Sequence, residues 1–66
     1  MITNMPDGYI AIKYDRILKE RTLAIFVDFG FTREWIPESQ IYDRFEDGDG
    51  KTLIMTEWIA GKKKLI

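Results

Sequence analysis

Residues 43–55, DRFEDGDGKTLIM, bring Asp43, Glu46, Asp47 and Asp49 together around Gly48 and Gly50. Carboxylates gathered on a glycine-rich turn are what a calcium loop uses, so the spacing is the first test. An EF-hand loop needs oxygen ligands at positions 1, 3 and 5, glycine at 6 and a bidentate glutamate at 12. With Gly48 at the sixth place, Asp43 and Asp47 fit, but Phe45 takes the third place and Ile54 the twelfth. With Gly50 there instead, Asp47 and Asp49 fit, but Phe45 falls at the first and Thr56 at the twelfth. Neither register supplies the glutamate, and no metal site is expected. Asp-Gly is a strong hairpin signal, because both residues tolerate positive φ. The stretch therefore reads as a turn.

Other reactive groups are scarce. The chain has no histidine and no cysteine, which removes the usual nucleophile–base pairs and most zinc or iron sites. Asp28, Glu34, Glu38 and Glu57 are isolated acids outside any recognisable motif, and read as solvated charges. No glycine-rich phosphate loop is present. A chain this short leaves little room for the ~300 Å³ of a typical small-molecule pocket. No catalytic residue, cofactor or enzymatic activity is expected.

What remains is binding chemistry. Aromatic residues make up 14 % of the chain. If Leu23, Ile25, Val27 and Phe29 face inward, Phe26 faces outward, where Trp35 can join it. Phe31 and Tyr42 are further candidates. Such a surface can stack nucleic-acid bases or anchor a protein partner. The basic residues Arg16, Lys19, Arg21, Lys62, Lys63 and Lys64 could form a phosphate-contacting patch, although the three lysines also suit the C-terminal end of a helix.

Several elements must position these residues. Ile10, Ile12 and Tyr14 alternate with Tyr9, Ala11 and Lys13, which is strand periodicity. That strand is expected to run to about Lys19 and turn at Glu20-Arg21. Residues 22–29, TLAIFVDF, give the clearest strand, rich in β-branched and aromatic side chains. A hairpin over Phe29-Gly30-Phe31 returns Thr32 to Ile36, and Pro37, which lacks an N–H, ends that strand. One 3₁₀ turn is expected near Pro37–Gln40, then strands over Ile41–Glu46 and Lys51–Met55. Thr56 can cap a short helix with Glu57 in its first turn and lysines at its end. Trp58, Ile59 and Leu65 would then pack inward.

Sixty-six residues bound this to one domain. Residues 1–8 read as a flexible N-terminal arm and 9–66 as a single small β-barrel domain. Such a domain buries only about 60 % of the surface its unfolded chain exposes. Without disulfides, a second copy of the chain or a larger partner is the expected staple. The net charge of −1 is a weak argument against a sequence-independent nucleic-acid binder, which normally carries a basic footprint. No apolar run approaches the ~20 residues of a membrane span. No secretory signal stands out, and a cytoplasmic setting is expected.

EWIPESQI (34–41), followed by a strand and then MTEWIAGKKKLI (55–66), resembles small phage and prophage proteins. These carry a strand ending in Trp-Ile-Pro, a Ser-Gln-Ile turn and a terminal Glu-Trp-aliphatic-Ala segment. TLAIFVDFG (22–30) is similar to the strand that precedes the tryptophan strand in such proteins. The resemblance implies a mainly β fold, a small five-stranded antiparallel SH3-like barrel with a short C-terminal helix. It implies architectural roles for Trp35, Pro37, Ser39, Gln40 and Trp58, and no catalytic residue. Two features depart from the pattern: the hairpin tip Phe29–Thr32 is more apolar, and Gly61 and three lysines stand where an acidic helix is usual. The expectation is a non-enzymatic phage-type accessory protein that binds a protein partner, such as a host defence or replication component, as a monomer or small homo-oligomer in the host cytoplasm. The alternative is a nucleic-acid-binding adaptor.

Overall fold

The computed structural model describes residues 6–66, so most of the expected N-terminal arm, residues 1–5, lies outside the described residues. The chain runs β1 (Tyr9–Tyr14), β2 (Arg16–Glu20), β3 (Ala24–Asp28), β4 (Arg33–Pro37), a 3₁₀ turn (Glu38–Gln40), β5 (Ile41–Asp47), β6 (Gly50–Thr56) and α1 (Glu57–Lys62). Two three-stranded antiparallel sheets result, ordered β1-β6-β5 and β2-β3-β4. The described residues are mainly β, with one short helix.

Among the described residues six strands form where five were expected, because the first breaks at Asp15. Inward residues Ile10, Ile12 and Tyr14 keep period two, but the next inward residue is Ile17, not residue 16. One phase step is lost at Asp15, whose N–H donates to the Asp28 carbonyl at 2.8 Å. β1 therefore pairs with β6 while β2 pairs with β3, and the broken strand crosses from one sheet to the other. Among the described strands, no backbone ladder joins the two sheets into a closed barrel. A side-chain ion pair bridges them instead, Glu20 of β2 to Arg44 of β5 at 3.1 Å.

The core lies between the sheets. Ile25, Val27 and Phe29 from the β3 segment, Ile36 from β4, Leu53 and Met55 from β6, and Ile59 and Ala60 from α1 are buried together. Ile10, Ile12, Tyr14, Ile17, Ile41 and Leu65 pack around them. Strand alternation accounts for this membership. Leu23 does not join: it sits in the β2–β3 turn at 80 % exposure. The expected inward row thus starts at Ile25, because the Arg21 N–H closes the turn on the Ala24 carbonyl and leaves residues 22 and 23 at its tip.

The helix forms as its cap predicts. The Ile59 N–H donates to Thr56 Oγ1 at 3.1 Å, and the same hydroxyl lies 2.8 Å from Gln40 Oε1. At the other end the Leu65 N–H donates to the Ala60 carbonyl and the Lys64 N–H to Gly61, with Lys64 at φ 60°. This is a Schellman cap, whose left-handed position is usually glycine. It turns Leu65 back onto the core. Trp58 is the exception to the expected plug: at 62 % exposed it faces away, since a helix of six residues buries Ile59 and Ala60 and leaves Trp58 on the other side.

Candidate binding face of the second sheet

The hairpin Phe29–Thr32 fixes the register of β3 and β4. Gly30 supplies the left-handed conformation at φ 95°, the Phe29 N–H donates to the Thr32 carbonyl, and the Gly30 N–H donates to Asp28 Oδ1 at 2.8 Å. Residue pairs then follow in order: Asp28 with Arg33, Phe26 with Trp35, Ala24 with Pro37. On the other side of β3, Arg16 lies opposite Asp28 and Lys19 opposite Phe26, with Leu18 absorbed in a bulge between them. Arg21 meets Ala24 at the turn.

Because Ile25 and Val27 point into the core, these partners share the outer face. They form three rows across β2, β3 and β4: Arg16, Asp28, Arg33; Lys19, Phe26, Trp35; Arg21, Ala24, Pro37. Four basic side chains stand against the Asp28 carboxylate within these rows and the Asp15 carboxylate at their Arg33 end, a positive excess on a chain whose net charge is −1. The Phe26 and Trp35 rings pack at 5.0 Å between centroids and 31° between planes, with Trp35 39 % exposed. Asp28 is held between its neighbours, with Oδ2 3.8 Å from Arg16 Nε and 3.7 Å from Arg33 Nε. Both arginines remain well exposed and able to reach outward.

The structure thus brings together Phe26, Trp35, Arg16, Lys19 and Arg21 of the expected binding residues, and adds Arg33 and Asp28. The remaining candidates lie off these rows, Phe31 beside the Asp28–Arg33 end and the others on different elements. Phe31 is exposed at the β3–β4 tip with its ring 6.4 Å from Phe29. Tyr42 is on β5, against Tyr9 at 5.2 Å. Two of the three lysines have local side-chain partners. Lys62 Nζ sits 4.9 Å over the Trp58 ring, Lys63 Nζ is 3.9 Å from Glu34 Oε1, and Lys64 occupies the left-handed cap position. Glu34 lies on the inward side of β4, opposite Val27, so the Lys63 ion pair ties the helix end to the second sheet away from the Phe26–Trp35 rows. The six basic residues expected as one patch are therefore split between a sheet face and a helix end.

Of the isolated acids, Asp28 and Glu34 are both engaged with basic partners, while Glu38 and Glu57 are exposed at the starts of the 3₁₀ turn and α1. The acidic loop is a hairpin turn joining β5 to β6. Asp47 pairs with Gly50, the Asp49 N–H donates to Asp47 Oδ1 at 2.8 Å, and the positive φ falls on Gly50 at 117°. Among the described residues no group of three or more carboxylates is placed to hold a metal ion.

Size did not exclude depressions of pocket volume, contrary to expectation. A groove of about 530 Å³ on the outer face of the first sheet is lined by Ala11, Lys13, Phe45 and Thr52 with the β5–β6 turn. A second, of about 370 Å³, lies beside Asp15, Asp28, Phe31 and Arg33. Among the described residues no helix is long and apolar enough to cross a membrane. No known family model, curated protein or solved structure matches this chain.

Proposed function

We propose that this chain is a non-enzymatic binding module of the phage-type accessory class that its Trp-Ile-Pro-x-Ser-Gln-Ile segment resembles, and that it acts as a nucleic-acid adaptor. In this reading the two sheets are an SH3-like barrel left open beyond the Glu20–Arg44 ion pair. One observation carries the partner assignment: four cations and a paired Phe26–Trp35 share the outer face of one sheet in a chain whose net charge is negative. Phosphate groups are held by such cations, and binding that releases counterions falls steeply with salt. The test is oligonucleotide binding from low to moderate salt with Arg16→Gln and Arg33→Gln variants. Weakening in each variant, with a shallower salt dependence, is the expected result. Absence of binding at the lowest salt ends the proposal.

A protein partner is the second reading, favoured by Tyr42. It is exposed, braced by Tyr9 and placed on the first sheet away from the charged rows. Exposed aromatic side chains of this kind anchor protein interfaces. Loss of a captured protein from Tyr42→Ala, with Arg33→Gln unaffected, would favour that reading over the nucleic-acid one.

A further inference from the structure

Resting on the nucleic-acid reading, we infer that the outer face of β2-β3-β4 takes unpaired bases, so the ligand is a single strand and not a duplex. The central row decides this. Phe26 and Trp35 lie between the row Arg16, Asp28, Arg33, whose two exposed guanidinium groups flank one carboxylate, and the row of Arg21, Ala24 and Pro37. Successive same-face rows are about 6.6 Å apart, two residues along a strand. A base laid on the aromatic pair thus keeps its neighbouring phosphates beside guanidinium groups. Ala24 and Pro37 are short, so no long side chain of β3 or β4 overhangs the aromatic pair from that row.

A duplex has no comparable use for this surface. It offers base edges in its grooves and stacks its ring faces on one another. The major groove admits a helix or a two-stranded ribbon, not the middle of a three-stranded sheet whose flanking strands carry the charge. Duplex contact would engage the four cations and leave the Trp35 ring without a partner. A single strand engages both, since aromatic stacking is available to every unpaired base. The cations set the salt response: four phosphate contacts at most give a slope of log K against log salt no steeper than about −3.

The experiment uses the full chain carrying Trp58→Phe. That leaves Trp35 as the sole fluorophore of its kind, because the sequence has two tryptophans. Trp58 is exposed on α1, away from the face. An oligothymidylate of about ten nucleotides, within the site sizes of single-strand binders, is titrated beside a blunt duplex of equal length. Binding of labelled strands by Trp35→Leu and Trp35→Phe is followed by anisotropy, after circular dichroism shows that each variant is folded. Expected are quenching of Trp35 by the single strand, weaker duplex binding, a loss of about tenfold or more in Trp35→Leu, and retention of most affinity in Trp35→Phe. Equal binding of duplex and single strand without quenching overturns the inference and leaves the nucleic-acid reading standing. Binding of neither at low salt removes both.

Discussion

Replacing Asp28 by asparagine should make the protein less stable and a better polyanion binder. The Asp28 side chain, 13 % exposed, has Oδ2 within 3.8 Å of both the Arg16 and Arg33 side chains, and its Oδ1 accepts the Gly30 N–H. The asparagine oxygen can keep the Gly30 hydrogen bond, so the turn survives and only the charge is lost. The two arginines are 65 % and 63 % exposed, and pairs of that kind contribute roughly 0–1 kcal/mol each. Their joint loss should cost about 1 kcal/mol, or about 4–8 °C in Tm for a domain of this size. The binding effect has the opposite sign. A carboxylate about 7 Å from a bound phosphate repels it by about 0.6 kcal/mol in water-like screening, so its removal should tighten binding about threefold at low salt. At 1 M salt the Debye length is about 3 Å and the gain should vanish. Thermal denaturation by circular dichroism gives the first quantity, and anisotropy of a labelled single strand across a salt series gives the second. Asp28→Ala also removes the Gly30 acceptor, so it should be less stable than the asparagine variant while showing a similar gain in affinity. Unchanged or weaker binding by a folded Asp28→Asn at low salt would refute the view that Asp28 restrains a phosphate-seeking face.

Two further expectations concern the helix that closes the core. Thr56→Ala removes the cap to Ile59 and the contact to Gln40. It should lower stability by about 1.5–2.5 kcal/mol, measured by urea unfolding, with Thr56→Ser restoring most of it. A loss below about 0.5 kcal/mol, the scatter of ordinary surface substitutions, would show that the hydroxyl is not shared as described. Lys64→Gly relieves a non-glycine residue at φ 60° and should raise stability by about 0.5–1 kcal/mol; a fall in urea midpoint would mean that the Lys64 side chain contributes more than its backbone strain costs.

The elements that govern the binding face were mostly readable because local and tertiary signals agree there. Alternation from Ala24 to Asp28 marks a strand with one buried face. Gly30 marks the hairpin, and together they pair Phe26 with Trp35. The same register pairs Asp28 with Arg33, so Arg33 was recoverable from the turn alone once the hairpin was placed. The break at Asp15 left a fainter trace, the step from Tyr14 to Ile17 in the inward series. No glycine or proline marks it, and the bend depends on the distant Asp28 carbonyl. Leu23 and Trp58 misled because each is apolar and close to buried residues, yet Leu23 falls at the tip of a turn two positions before Ile25, and Trp58 lies on the side of α1 opposite Ile59 and Ala60. Of the lysines, Lys62 over Trp58 follows from i, i+4 spacing on one helix, whereas the Lys63–Glu34 pair depends on where the helix docks and was opaque.

The position of β6 has a consequence for how the chain reaches this shape. It is the central strand of the first sheet, with Leu53 and Met55 on one side and Thr52 and Ile54 on the other all buried. Its partner β1 is made some forty residues earlier, Tyr14 opposite Lys51 and Tyr9 opposite Thr56. As the polypeptide leaves the ribosome, β1 must wait with its apolar side chains unsheltered until residues 50–56 emerge. Such distant pairing slows folding and leaves nascent chains open to chaperones or misassociation, whereas the β2-β3-β4 hairpins can form from neighbouring sequence as soon as it appears.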